Sequence, residues 1–134
     1  MGLRDTYRLD EAKATDKGFK VDFYDDQGNE VGFVCVRYAG PSNKKFTAFR
    51  NNIMKPFERK VAQGNMSEAE SDKLLQEAFI KGGIITDWSE DLPLTVDNFR
   101  TVMNESAPEV WRDIYLAAYN PKFFAADREA EAGN

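Results

Sequence analysis

The chain has 134 residues, with 18 Lys and Arg against 23 Asp and Glu, ten phenylalanines, one cysteine and no histidine. Without imidazole there is no Ser-His-Asp triad, no Cys-His pair and no His-based metal site, and one cysteine forms neither an internal disulfide nor a thiolate zinc site. A length near the commonest single-domain size, with 42% hydrophobic and 13% aromatic residues, predicts one packed domain rather than a disordered chain.

Residues 1–18 mix charged and small side chains without a sustained period and read as a loosely ordered N-terminal arm. The arm has no apolar run of the kind found in a signal peptide or membrane anchor, so a cytoplasmic location is expected. The single domain is expected over 19–127, with 128–134 as a flexible, charged tail. Net charge is uneven: residues 1–60 hold 12 basic and 9 acidic side chains, whereas 61–134 hold 6 and 14, so the two halves attract each other or different partners.

From Phe19 to Tyr38 the hydrophobic period is two. Phe19, Val21 and Phe23 alternate with polar residues, Asp25-Asp26-Gln27-Gly28-Asn29 provides a turn with Gly28 free to take positive φ, and Val31 to Val36 returns apolar on both faces. A β-hairpin over 19–38 follows, with Cys35 as a small core residue. Because an isolated hairpin is marginal in water, it has to pack on the remainder, which reads as helix.

Gly40-Pro41-Ser42-Asn43 offers a cap, and Phe46, Phe49, Ile53 and Phe57 then recur at helical spacing. Pro56 predicts a kink or restart, with Gly64 as the stop. Ser67-Glu-Ala-Glu70 is a capping box ahead of Leu74, Leu75, Ala78 and Phe79, and Gly82-Gly83 closes that helix before Ile84-Ile85-Thr86-Asp87-Trp88 leads into a loop. Thr95 caps a helix bearing Val96, Phe99, Val102 and Met103. Ser106-Ala-Pro-Glu109 reads as a second capping box before Val110, Trp111, Ile114, Tyr115, Ala118 and Tyr119, and Asn120-Pro121 starts a last turn with Phe123 and Phe124. The fold class expected is mainly α with a small N-terminal β-hairpin in a single compact helical domain.

Catalytic signals are thin. Asp25 with Asp26, or Asp87 with Glu90 and Asp91, could act as acid and base or hold Mg²⁺, but polar turn and loop positions explain them more simply. Gly82-Gly83 is followed by Ile-Ile and not by Lys-Ser or Lys-Thr, so no phosphate loop is present. Lys44, Lys45, Arg50, Lys55, Arg59 and Lys60 form the one basic segment, which could touch phosphates or form a solvated face. The aromatic surplus is the remaining anomaly: Trp88, Phe99, Trp111, Tyr115, Tyr119, Phe123 and Phe124 are candidates for contact with another protein, Trp88 first among them because it stands at a helix-to-loop junction.

The order of motifs is informative as a whole. A hairpin ending in Val36-Arg37-Tyr38-Ala39-Gly40 is followed by a phenylalanine-bearing helix with Lys55-Pro56 and then by Ile85-Thr86-Asp87-Trp88. After these come Leu92-Pro93-Leu94-Thr95 with Asn98-Phe99, a Pro108 helix and Asn120-Pro121-Lys122-Phe123-Phe124. Over roughly residues 19–134 this resembles the small tail assembly chaperones of long-tailed bacteriophages, although the loop Ser89-Glu90-Asp91 is shorter than the glycine-containing loops of that family. The resemblance implies a non-enzymatic protein of the host cytoplasm, without cofactor, that binds the tape measure protein, keeps it soluble and is absent from the mature virion. It also implies delivery of the major tail tube protein, in many such phages through a longer product made by ribosomal frameshifting. The alternative is a small phage or bacterial regulator that binds a host protein or nucleic acid through the basic helix 44–60.

Overall fold

The fold is that of a computed structural model, which describes residue 3 and residues 8–125; the tail expected at 128–134 and most of residues 1–7 lie outside the described residues. The described chain is mainly α, with a three-stranded antiparallel sheet in the order β1-β2-β3. Among the described residues no helix is long and apolar enough to cross a membrane.

Strand β1 (Phe19–Tyr24) and strand β2 (Glu30–Val36) form the hairpin. Phe19 lies opposite Val36, Val21 opposite Val34 and Phe23 opposite Gly32, which gathers the apolar residues on one face. The turn is held by its own side chain: Asp25 Oδ1 accepts the backbone N–H groups of Gln27 and Asn29, each at 2.9 Å. Gly28 takes φ +82° there, a conformation that residues with a Cβ avoid. At the entry to β1, Gly18 has φ +70° and a Cβ on it would stand 2.5 Å from the Val36 carbonyl oxygen, so only glycine lets the chain pass so close to β2.

The segment expected to run into a loop after Ile84 is instead strand β3 (Ile85–Trp88), paired antiparallel with β2. A bulge conceals its period in the sequence. Val36 pairs with Ile85 and Val34 with Trp88, so two β3 residues three apart in sequence face the same side. Ile85 and Trp88 are buried while Thr86 and Asp87 between them are exposed.

Helix α1 (Lys44–Met54) begins at Asn43, whose side chain accepts the Phe46 N–H at 3.1 Å and donates to the Tyr38 carbonyl at 2.7 Å. A 3₁₀ turn, Lys55–Phe57, carries Pro56 in its first turn and passes into the short α2 (Glu58–Ala62), which is the expected restart. Of the stripe Phe46, Phe49, Ile53 and Phe57, only Phe46 is buried, and neither Phe49 nor Phe57 packs on the main core.

Helix α3 (Glu68–Lys81) has Ser67 as its cap, accepting the Glu70 N–H at 3.2 Å. Helix α4 (Val96–Glu105) is capped by Thr95, which accepts the Asn98 N–H at 3.1 Å. Helix α5 (Pro108–Tyr119) follows after two residues, and the second capping box expected at Ser106 does not form. That turn is too short for it: Ser106 still closes α4, donating its hydroxyl to the Val102 carbonyl at 2.6 Å, and Ala107 occupies the cap position. A final 3₁₀ turn, Pro121–Phe124, starts at Asn120 as expected, with its side chain accepting the Lys122 N–H at 3.0 Å.

Helix α5 packs on β1 and β2, α4 packs on α5 and α3, and α1 packs on α3. Phe79 sits at the centre of the core, with ring centroids 5.6 Å from Phe46, 5.3 Å from Trp111, 6.1 Å from Tyr115 and 6.0 Å from Tyr119. Residues 8–18, read from the sequence as part of a loose arm, are tied to this body. Leu9 bridges to Ala125, the Asp10 N–H donates to the Phe124 carbonyl at 2.8 Å, Ala14 is buried and its carbonyl accepts the Tyr38 N–H at 3.0 Å.

Candidate partner-binding groove

The aromatic residues singled out for partner contact divide between core and surface. Trp88, Phe99, Trp111 and Phe124 are core residues, which corrects their assignment to a contact surface, although Trp111 also lines a surface depression. Trp88 closes β3, its ring centroid 5.8 Å from that of Phe99, and its indole N–H donates to the Leu92 carbonyl at 2.9 Å. Its junction position makes it a plug between sheet and loop, because a buried indole needs an acceptor for its N–H and the loop supplies one. Phe123 is 37% exposed, yet one face of its ring is stacked on Phe19 at 4.5 Å. Tyr119 is half-buried and its hydroxyl accepts from Arg50 Nη1 at 2.9 Å.

Trp111, buried but not sealed, and the half-buried Tyr115 also reach the surface. Together with Leu75 they form the floor of a groove of about 410 Å³ that opens between the first turns of α3 and α5, with Glu68, Asp72, Glu109 and Arg112 at its walls. A second depression of about 270 Å³, lined by residues that include Lys73, Gln76 and Met103, shares Asp72, Pro108 and Trp111 with the first. The two adjoin at these residues, as the larger and the smaller part of one grooved face. Helices α3 and α5 both pack on α4.

The electrostatics of the groove are asymmetric. Glu68 and Glu109 lie in the first turns of α3 and α5, where helix N-termini favour negative charge. Neither they nor Asp72 makes an ion pair among the described residues, whereas Arg112 is drawn aside to Asp113 at 3.4 Å. The wider part of the groove is thus an apolar, aromatic floor under uncompensated carboxylates.

The other chemical candidates are absorbed by structure. Asp25 is engaged in its turn, where backbone N–H groups, that of Asn29 foremost, hold its carboxyl below the usual carboxylate range. Asp87 accepts the N–H of its neighbour Trp88 at 2.9 Å. Cys35, expected in the core, lies half-buried on the opposite face of the sheet from Val34 and Val36, because the strand alternates. Burial foremost, with Asp87 nearby, pushes its thiol up, which favours the unreactive protonated form. Among the described residues no three or more Cys, Asp or Glu side chains converge to hold a metal ion. In the basic segment, Arg50 is engaged with Tyr119 and Lys60 with Glu70, which leaves Lys44, Lys45, Lys55 and Arg59 exposed on two helices and a turn rather than on one continuous face.

Sequence reasoning found Trp111 and Tyr115 but missed Asp72, Gln76 and Glu109. One signal for Gln76 was legible. It precedes Phe79 by three residues and so places a polar side chain on the buried stripe of α3. No protein-family model, curated protein or solved structure matches this chain.

Proposed function

We propose that this protein is a non-catalytic binding protein of bacteriophage tail assembly, a chaperone that holds the tape measure protein soluble in the host cytoplasm and leaves before the virion is complete. The observation that carries this reading is the groove between α3 and α5, whose floor of Leu75, Trp111 and Tyr115 offers apolar contact while Glu68, Asp72 and Glu109 keep its mouth charged. A holdase needs such a surface: enough apolar area to cover a client, and enough charge to stay soluble when empty. The order of motifs from the hairpin through Ile85-Thr86-Asp87-Trp88 to Asn120-Pro121 supplies the assignment to tails. Recruitment of the major tail tube protein, through a frameshifted longer product, belongs to the same proposal.

Co-expression tests it. The tape measure protein of the same phage is expected in the insoluble fraction alone and in the soluble fraction when this chain is present, with the two eluting together on size exclusion. A tape measure protein that is equally insoluble with and without the chain sinks the reading.

A further inference from the structure

Gln76 is 7% exposed, and its side-chain amide makes no hydrogen bond among the described residues. Yet its amide atoms are not sealed off: they are absent from the fully enclosed unpartnered atoms, which are Asp22 Oδ1, Arg37 Nε and Arg100 Nε. The space they reach is the narrower part of the groove, which Gln76 lines. An amide that opens onto the groove can exchange bonds with water for bonds to the polar groups of a bound chain, which makes Gln76 a polar recognition element beside the aromatic floor.

We propose that the groove binds an extended peptide segment of the partner that carries a lysine or arginine beside an apolar residue, and that Gln76 is the residue that recognises its backbone. The inference rests on the reading of this chain as a binding protein and adds the chemistry of what it binds. A carboxamide carries one acceptor and an NH₂ donor, the complement of the N–H and C=O that a single residue of an extended chain turns to the same side. A helical segment has its peptide groups bonded to each other and offers Gln76 nothing, whereas an extended one presents both a C=O and an N–H. The apolar residue lies on Trp111 and Leu75, and the cation meets Glu68, Asp72 and Glu109, which have no other ion-pair partner among the described residues. Uncompensated acids around an apolar floor select a basic segment and repel an acidic one.

The test is a selection of random nine-residue peptides displayed against the immobilised full chain, followed by calorimetry with the best synthetic binder. Enrichment of Lys or Arg next to Leu, Phe or Met is expected, with affinity falling as salt rises. Gln76→Leu should weaken binding roughly three- to tenfold, the worth of one hydrogen bond, while the variant stays folded with a cooperative thermal transition. Asp72→Asn combined with Glu109→Gln should weaken it by a further factor of about five and flatten the salt dependence. A binder N-methylated at its central residue should lose affinity for the wild type and little for Gln76→Leu.

Failure to select any peptide, enrichment of acidic or uncharged sequences, or unchanged affinity in Gln76→Leu each overturns the proposal. The two readings fail separately. A tape measure protein kept soluble equally well by wild type and Gln76→Leu leaves the chaperone and removes the peptide site. Basic peptides bound as described beside an insoluble tape measure protein do the reverse.

Discussion

Helices α1 and α2 bury Phe46 alone, whereas α4 and α5 bury Phe99, Met103, Trp111, Ile114, Ala117 and Ala118. Both regions carry apolar residues at helical spacing, so the pattern does not account for the difference. Neighbours do. Helix α5 is flanked by β1, β2 and α4, while α1 packs chiefly on α3 and, among the described residues, α2 packs chiefly on the adjoining 3₁₀ turn. An apolar stripe becomes core only where other elements close over it, and the same logic puts the groove at the N-terminal turns of α3 and α5, where no element closes over them.

The largest expected effect comes from the centre of the better-covered region. Phe79→Ala removes a fully buried ring in contact with four aromatic partners and should cost about 3–5 kcal/mol in urea-induced unfolding. Phe57→Ala tests the other region, where a half-buried ring off the main core should cost no more than about 1 kcal/mol. A Phe57 variant as damaging as the Phe79 one would mean that α1 and α2 belong to the cooperative core, and the contrast between the regions would fall.

Tyr119 joins the two regions through its bond from Arg50, so it measures how firmly α1 is held to α5. Tyr119→Phe keeps the ring and removes the hydroxyl, with an expected loss of about 1 kcal/mol at neutral pH. Burial raises the Tyr119 hydroxyl above its ordinary value, partly offset by Arg50. A group raised in the folded state favours folding below its unfolded value, near pH 10, and that contribution disappears as pH climbs through the raised folded value. Unfolding midpoints of the wild type should therefore drop above pH 10 more steeply than those of Tyr119→Phe. Parallel alkaline limbs for the two proteins would show that this hydroxyl is solvated and that α1 is not held by it.

How much of this was legible depends on whether the signal is local. Caps at Asn43, Ser67, Thr95 and Asn120 are satisfied by groups two or three residues away, and each one forms as its sequence suggests. The hairpin was legible because Asp25 and Gly28 lie within the turn they make. Strand β3 was hidden since its bulge exists only against β2, and Trp88 was taken for a surface residue because its acceptor, the Leu92 carbonyl, follows from loop geometry. The groove is the least local feature of all. Asp72 and Glu109 are distant in sequence and line one depression only because the fold brings α3 and α5 side by side.

The smallest expected effect is also the closest test of how α2 is attached. Lys60 of α2 pairs with Glu70 of α3, and both side chains are well exposed. The Lys60 ammonium foremost, with Ser67 assisting, holds the Glu70 carboxyl below its usual range. A carboxyl lowered in the folded state contributes above the ordinary glutamate value and loses that contribution as pH falls through the lowered one. Glu70→Gln should then leave the midpoint unchanged at pH 7 in about 0.5 M salt, where screening shortens to a few ångströms, and differ from wild type only at low salt and above pH 4–5, converging in acid. Because α2 buries no residue, this pair and chain connectivity are what hold it near α3. Amide exchange in 58–62 should accelerate in Glu70→Gln while exchange in α5 stays as in wild type. Equal acceleration in both helices would tie α2 to the core after all.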